Sequence, residues 1–339
     1  MNCCISIVAA LFLISTGTTA VDGQNALYVQ GRAAFDARQW ESAAALMTQA
    51  ETASPGSTDA LLFAGKAFLR LNRLSEADKS LTSFIERHPN SAEALYMLGL
   101  VQQREDKPRE SLTTLTHAAK LQTPTSEELR IAGLNYVLLN DYPDAIHWLE
   151  KAVQLDPSNS EAWYSLGRCY YTQSRFHEAE QAFQKTLALD PKNIKAAENL
   201  GLVYGAENRL TDADQIFQKA VALARDDAHA DEWSYLNYGS FLLDQDRAQE
   251  AIPMLKQAVS INSECAECHE KLGRALTDVG KMQEGIAQLE KAVALNAKDA
   301  RLHYELGLAY RKAGMADRAK QELALSEKLY GAKSAGDPR

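Results

Sequence analysis

From about residue 24 onward, apolar residues recur at helical spacing in short blocks, and each block closes on turn residues. The stretches "EAWYSLGRCYYTQ" (Glu161 to Gln173) and "FHEAEQAFQKTLAL" (Phe176 to Leu189) each place apolar side chains on one face of a helix. "LDPSN" and "LDPKN" bracket this pair with helix-stop and turn residues. The pattern predicts two short amphipathic helices per block, repeated along the chain.

A ladder of glycines sets the period: Gly31, Gly65, Gly99, Gly133, Gly167, Gly201, Gly239, Gly273 and Gly307. Seven of the eight intervals are 34 residues, and the interval from Gly201 to Gly239 is 38. Twelve residues after each glycine stands a small residue: Ala43, Ala77, Ser111, Ala145, Ala179, Ala213, Ala251, Gly285 and Ala319. Glycine inside a helix costs about 1 kcal/mol against alanine. A chain that accepts this cost in every block needs close backbone contact there. The glycine face of the first helix is therefore expected against the small-residue face of the second.

This pattern resembles the tetratricopeptide repeat family, whose signature has a period of about 34 residues. The fifth block matches it with Trp163, Leu166, Gly167, Tyr170, Ala179, Phe183 and Pro191. The second block supplies Leu61, Gly65, Phe68, Ala77, Leu81 and Pro89, and the fourth supplies Leu129, Gly133, Tyr136, Ala145, Leu149 and Pro157. The resemblance implies an all-α, right-handed α-solenoid of about nine helix–turn–helix repeats over residues 24–330. In the expected order, a leader spans 1–20, six repeats 24–227, an insertion 228–231, three repeats 232–330 and a disordered tail 331–339. The insertion lies in "RDDAHADEW", where Arg225 replaces a loop proline, and is expected to lengthen a helix or loop and divide the array. Pro108 and Pro143 fall near the starts of second helices, where proline fits. Pro253 falls inside one, where it removes a hydrogen bond. No further helix is expected to cover Leu323, Leu325 or Leu329 after the last repeat, which predicts end-to-end self-association or a partner at that end.

Composition narrows the function. The chain is 46% hydrophobic and 24% charged, enough to build a core. Its net charge of −9 argues against nucleic acid, which needs clustered Lys and Arg. Ile5 to Ile14 is an almost unbroken apolar run followed by small residues up to Ala20, as in a secretory leader. The run is too short to span a bilayer, so the expectation is an exported protein, periplasmic or secreted, with no integral membrane span once the leader is removed.

Beyond the leader, the cysteines are Cys169, Cys265 and Cys268. Cys265, Cys268 and His269 spell C-x-x-C-H, the attachment pattern of a c-type haem. In repeat register, Cys265 ends a loop, Cys268 takes a third position that is elsewhere Ala60, Ala94, Ala162 or Ala196, and His269 takes a fourth position shared with His303. Three readings stay open: a haem site, a local disulfide, and two reduced packing cysteines. The register favours the last, with no cofactor. Cys169 reads as a buried, inert thiol.

Glycine-rich phosphate loops, nucleophile elbows and zinc-protease motifs do not occur in the sequence. The expectation is a non-catalytic scaffold that binds a protein or peptide. The family resemblance implies that the first helices line a concave groove, with positions two, five, six, nine and thirteen facing it. In the third repeat these positions give Tyr96, Met97, Leu100 and Arg104. In the fourth they give Arg130, Ile131, Leu134 and Leu138, and in the fifth Tyr164, Ser165 and Arg168, with Tyr171 beside them. Asn199, Asn237 and Trp233 follow in the next two repeats. Tyr and Arg are enriched at binding hot spots. Arg32 and Lys66 hold the ninth position where a clamp for two carboxylates would need Asn, so chaperone-tail recognition is not implied. The competing functions are an electron-transfer protein and a self-assembling spacer.

Overall fold

The computed structural model describes residues 15–335 apart from Ser57, with side chains described from Ala26 to Gly331. Met1–Ile14 of the expected leader lies outside the described residues, and Ser15–Ala20 forms the first turns of a helix. Among the described residues the chain is helical throughout, as nine successive hairpins. These are α1 (Ser15–Asp36) with α2 (Trp40–Ala53), α3 (Ala60–Arg70) with α4 (Leu74–Arg87), and α5 (Ala92–Arg104) with α6 (Pro108–Leu121). Next come α7 (Ser126–Leu138) with α8 (Tyr142–Leu155), α9 (Ser160–Thr172) with α10 (Phe176–Leu189), and α11 (Ile194–Ala206) with α12 (Leu210–Arg225). The last three are α13 (Trp233–Asp244) with α14 (Ala248–Ile261), α15 (Ala266–Asp278) with α16 (Met282–Leu295), and α17 (Ala300–Lys312) with α18 (Ala316–Ala335). This is an α-solenoid of helix–turn–helix repeats. None of these helices is long and apolar enough to cross a membrane.

Each hairpin closes on the glycine ladder, by a contact one turn further along than the small-residue spacing indicates. The nearest atoms belong to the large side chain sixteen residues after the glycine. A Cβ added at Gly65, Gly99, Gly133, Gly239 or Gly273 would stand 2.6–2.7 Å from Leu81, Leu115, Leu149, Leu255 or Leu289. At Gly201 it would stand 2.6 Å from the Phe217 ring. Leu81, Leu149 and Leu255 are 0% exposed. The small residue at +12 brings its backbone close: the Ala145 carbonyl lies 3.2 Å from a Cβ at Gly133.

The turn between the helices of each hairpin has one residue in the left-handed region. It is Arg38, Asn72, Asp106, Asn140, Ser174, Asn208 or Asp246 in the first seven hairpins, and Gly280 or Gly314 in the last two. The turn is fixed by backbone bonds, such as Arg73 N–H to Phe68 O at 2.9 Å and Lys107 N–H to Gln102 O at 2.9 Å.

The helices fall into two compact units, divided between Cys169 and Tyr170. The division lies within α9 rather than at the four-residue insertion. At the insertion, α12 runs to 16 residues, a short turn follows, and α13 still packs on both α11 and α12, so the added length is absorbed inside the second unit. Pro253 sits within an α14 that runs unbroken from Ala248 to Ile261.

The C-terminal end differs from expectation. Helix α18 continues to Ala335, so residues 331–335 of the expected disordered tail are helical, and 336–339 lie outside the described residues. Leu323 is not uncovered. It fills the space over Gly307, where a Cβ would stand 2.8 Å from it. Leu325 and Tyr330 are exposed, at 43% and 60%.

One buried polar pair interrupts the apolar register. Ser111 takes the place of the small +12 alanine, and Asn135 stands in the tenth position of α7, where Ala67, Val101 and Val203 stand in other repeats. Both are 0% exposed. Asn135 Nδ2 donates to Ser111 Oγ at 2.7 Å, and Ser111 Oγ donates to the Gly99 carbonyl at 2.6 Å. The Ser111→Ala substitution leaves the Asn135 amide buried without that acceptor and should destabilise the chain by about 1–3 kcal/mol. Ser111→Ala combined with Asn135→Val should recover most of the loss. Urea unfolding of the three variants checks both outcomes.

Candidate functional site

Within each unit, successive first helices touch one another, α1 with α3, α3 with α5 and α5 with α7, then α11 with α13, α13 with α15 and α15 with α17. Successive second helices make no such contacts among the described residues. The first helices therefore lie on the crowded, inner side of each unit, and their outward positions form its inner face.

Position five does not belong to that face. It reaches the start of the following repeat: Tyr28 donates to Asp59, Ser234 donates to Glu198, and Arg301 donates to Glu270. Tyr304, at position five of the ninth hairpin with no later hairpin among the described residues, is 47% exposed. Tyr96 is accordingly buried, its hydroxyl donating to the Gln122 carbonyl at 2.6 Å. Ile131, at position six, is also buried, in one cluster with Tyr96 and Leu115. Ser165 is buried too, with its hydroxyl on the Glu161 carbonyl at 2.8 Å. These three are removed from the surface a partner would reach. Arg130 is already held by Glu127 through two hydrogen bonds of 2.8 and 2.6 Å.

Positions nine and thirteen do reach the surface. In the first unit they bring together Arg32, Asp36, Lys66, Arg70, Leu100, Arg104, Leu134, Leu138 and Arg168. Met97 and Tyr164 lie beside this strip, half-buried, with the Arg168 guanidinium 6.0 Å from the Tyr164 ring centre. Its first two repeats were missed in the sequence. There Phe63, at position six, lies beneath the Arg32 guanidinium at 3.8 Å and near Lys66 Nζ at 4.6 Å. The signal was present, since these residues occupy the same positions in register. Lys66 also pairs with Glu93 at 2.7 Å, whereas Arg70 and Arg104 form no ion pair among the described residues.

In the second unit, Tyr171 and Asn237 share a depression of about 310 Å³ with Leu202, Ser240 and Phe241. Asn199 is half-buried and spends its amide on the Lys195 carbonyl at 2.7 Å, while Trp233 is 46% exposed. A larger cavity of about 960 Å³ is lined by Arg274, Asp278, Glu305, Leu308 and Lys312. Its charges largely answer one another: Lys312 lies 3.4 Å from Asp278, and Arg274 lies 3.9 Å from both Asp244 and Asp278.

The C-x-x-C-H stretch does not form a haem site. Cys265 and Cys268 are joined in a disulfide, so neither sulfur is left for a thioether, and the expectation of two reduced cysteines is also corrected. His269 is buried, with Nδ1 2.7 Å from Gln288 Oε1 and Nε2 3.0 Å from the Ser263 carbonyl, which occupies both ring nitrogens. His303 repeats the arrangement with Glu322 at 2.6 Å and the Ala297 carbonyl at 3.0 Å. The histidine is thus a packing residue of the fourth position. Cys169 is 2% exposed, and burial pushes its thiol up to about 11. Among the described residues, no group of His, Cys, Asp or Glu gathers as a metal site.

Glu198 is the most perturbed carboxylate. It is 5% exposed, and burial pushes it up to about 7, against the Ser234 hydrogen bond and with help from Asp231. Because its folded pKa exceeds the unfolded one, its contribution is full in acid and is lost as pH rises from about 4.5 through about 7. Above pH 7, Glu198→Gln should be more stable than the parent by on the order of 2–3 kcal/mol, with little difference at pH 4. Urea unfolding across this pH range checks the sign.

Comparison with known proteins follows the geometry. Tetratricopeptide repeat models match residues 34–101, 132–194, 193–264 and, as a TPR repeat, 273–314, together more than half of the chain. No curated protein matches the chain in sequence. A tetratricopeptide repeat protein from Parabacteroides merdae is similar in fold, with a TM-score of 0.57 at 19% identity, covering 74% of this chain and 97% of that one. PilW, a type IV pilus biogenesis factor, has a TM-score of 0.55 at 20% identity and covers 61% of this chain and 94% of its own. Pseudomonas aeruginosa pilF has a TM-score of 0.53 at 21% identity over 62% of this chain and 95% of its own. The glycine register, the helical hairpins and these matches agree: the chain belongs to the tetratricopeptide repeat family.

Proposed function

We propose that this protein is an exported, non-catalytic scaffold that captures an extended, acidic segment of a protein partner on the inner face of its first unit and holds it in an envelope or secretion assembly. The observation that carries this reading is the strip at positions nine and thirteen. Five cations, Arg32, Lys66, Arg70, Arg104 and Arg168, share this strip with Leu100, Leu134 and Leu138 and a single acid, Asp36, on one face of a chain whose net charge is −9. Guanidinium groups hold carboxylates and backbone carbonyls directionally, and the leucines offer apolar contact between them. Leu138 is 40% exposed, more than a packing residue requires. Export rests on the apolar run Ile5 to Ile14 and the small residues up to Ala20.

A second reading rests on the last repeat. Tyr304, Leu325 and Tyr330 are exposed, and Leu329 and Tyr330 border a cavity of about 360 Å³ with Asn296 and Arg301. This end supports self-association in place of partner capture. Sedimentation of the chain and of a Leu325→Glu, Tyr330→Glu variant over a concentration series separates the two, because a terminal contact predicts assembly that the variant abolishes.

The first reading is tested by affinity capture with mass-spectrometric identification. Arg104→Glu combined with Arg168→Glu, both on exposed residues, should weaken capture of the specific partner by on the order of tenfold without changing the circular dichroism. Raising salt should weaken capture by the parent protein in the same direction. Identical partner sets for parent and variant would remove the strip from the binding surface.

A further inference from the structure

The Cys265–Cys268 disulfide stands on the first turn of α15, and its two sulfurs have unequal surroundings. Cys265 is the residue that caps the helix and is half-buried, while Cys268 is 0% exposed. The capping sulfur accepts the Cys268 backbone N–H at 3.0 Å. A nucleophile arriving from solvent therefore reaches only Cys265.

The fold does not need this covalent bond. The corresponding third position is filled by Ala60, Ala94, Ala162 and Ala196, all 0% exposed, with the same helical start. The corresponding helices α5, α11 and α17 are capped by the side-chain oxygens of Ser91, Asn193 and Asp299. The sibling repeats build the same geometry without sulfur. Two cysteines in place of an oxygen cap and an alanine add a chemistry rather than a missing support.

Position also biases that chemistry. Free backbone N–H groups at a helix N-terminus stabilise negative charge, and a thiolate at the capping residue of a C-x-x-C pair is favoured for this reason. Glu264 and Glu267 flank the site and oppose the effect. Both are exposed to water, and Lys291 lies 3.8 Å from Glu264. A disulfide whose reduced form is stabilised in this way is easier to reduce than one buried at both ends.

We propose that Cys265–Cys268 is a thiol–disulfide exchange site, with Cys265 the attacked sulfur and Cys268 the buried leaving sulfur. An incoming thiolate attacks Cys265 Sγ, the Cys265–Cys268 bond breaks, and Cys268 leaves as a thiolate that takes up a proton. A second thiolate then attacks the incoming sulfur in the mixed disulfide and expels Cys265 as the capping thiolate. Two thiols become one disulfide, and the protein disulfide becomes two thiols, a balanced two-electron exchange. The reductant is a small monothiol or a protein dithiol.

The test uses the full chain in buffers of stepped reduced-to-oxidised glutathione ratio and, separately, with reduced thioredoxin as the protein dithiol. Samples are quenched in acid, alkylated with a maleimide and mapped by peptide mass. The pair should open in a graded way while circular dichroism stays native. In Cys268→Ser, glutathione should be trapped on Cys265 at least about tenfold faster than on Cys268 in Cys265→Ser. Opening by thioredoxin but not by glutathione assigns the exchange to protein dithiols. A pair that stays closed to both reductants until urea unfolds the chain overturns the proposal, as do equal trapping rates on the two cysteines. Should either serine variant fail to fold, the parent protein's response to the two reductants decides between these outcomes.

Discussion

Eight of the nine hairpins share one described contact, a large side chain of the second helix entering the space that a glycine leaves on the first. At Gly99 and Gly201 a single added carbon would stand 2.6 Å from Leu115 or Phe217, closer than carbon atoms approach. The contact sets the distance between the two helices and so defines which ridges remain for the next hairpin. It tightens further in the eighth repeat, where Gly285 replaces the usual alanine. A Cβ there would stand 2.8 Å from the Gly273 carbonyl, so backbone meets backbone. A register set this locally leaves little freedom for an inserted catalytic segment. Added length is tolerated only between hairpins, as after α12.

Features that depend on residues within one period were legible in the sequence. The glycine ladder, the hairpins and Pro108 at the start of α6 all belong to this class. Features that depend on the neighbouring repeat were not. Position five was expected on the open face, yet Tyr28, Glu198 and Glu270 each meet the beginning of the next repeat, and that partner cannot be read from the helix on which they stand. The hairpin turns were hidden only in part. Gly280 and Gly314, and Asn72, Asp106, Asn140, Asn208 and Asp246, are residue types that visit the left-handed region, whereas Arg38 adopts φ 59° because its turn is closed by Gln39 N–H to Ala34 O at 2.9 Å. The modest cost of that conformation, about 1–2 kcal/mol, is offset by satisfying carbonyls at the helix end.

Motifs and register make competing claims on the same residues, and the structure separates them. C-x-x-C-H reads as haem attachment when taken alone. Taken in register, His269 matches His303, which makes the same two kinds of contact with no cysteine nearby. The motif's histidine therefore belongs to the repeat, and only its sulfurs are new. Ser111 and Asn135 show the converse. Each departs from the repeat pattern on its own, and the two departures are explained only by each other, through a hydrogen bond between residues 24 apart.

The charges along the inner face of the first unit are not there for stability. Exposed ion pairs contribute about 0–1 kcal/mol at best, and a pair such as Lys66–Glu93 adds little to a fold already held by its apolar spine. Arg70 and Arg104, neither in an ion pair among the described residues, share one strip with Arg32, Lys66 and Arg168, and Asp36 is the one acid at the same positions. Repulsion within such a strip works against the folded state, if weakly. Acids stand beside these cations, Asp36 at position thirteen and Glu93, Glu127 and Glu161 at position two, on a surface that also shows leucine. In the second unit the cations of the 960 Å³ cavity are paired too, Lys312 with Asp278 and Arg274 with Asp244 and Asp278. Two units built on one repeat thus carry different residues at positions nine and thirteen, which the apolar spine leaves free to vary.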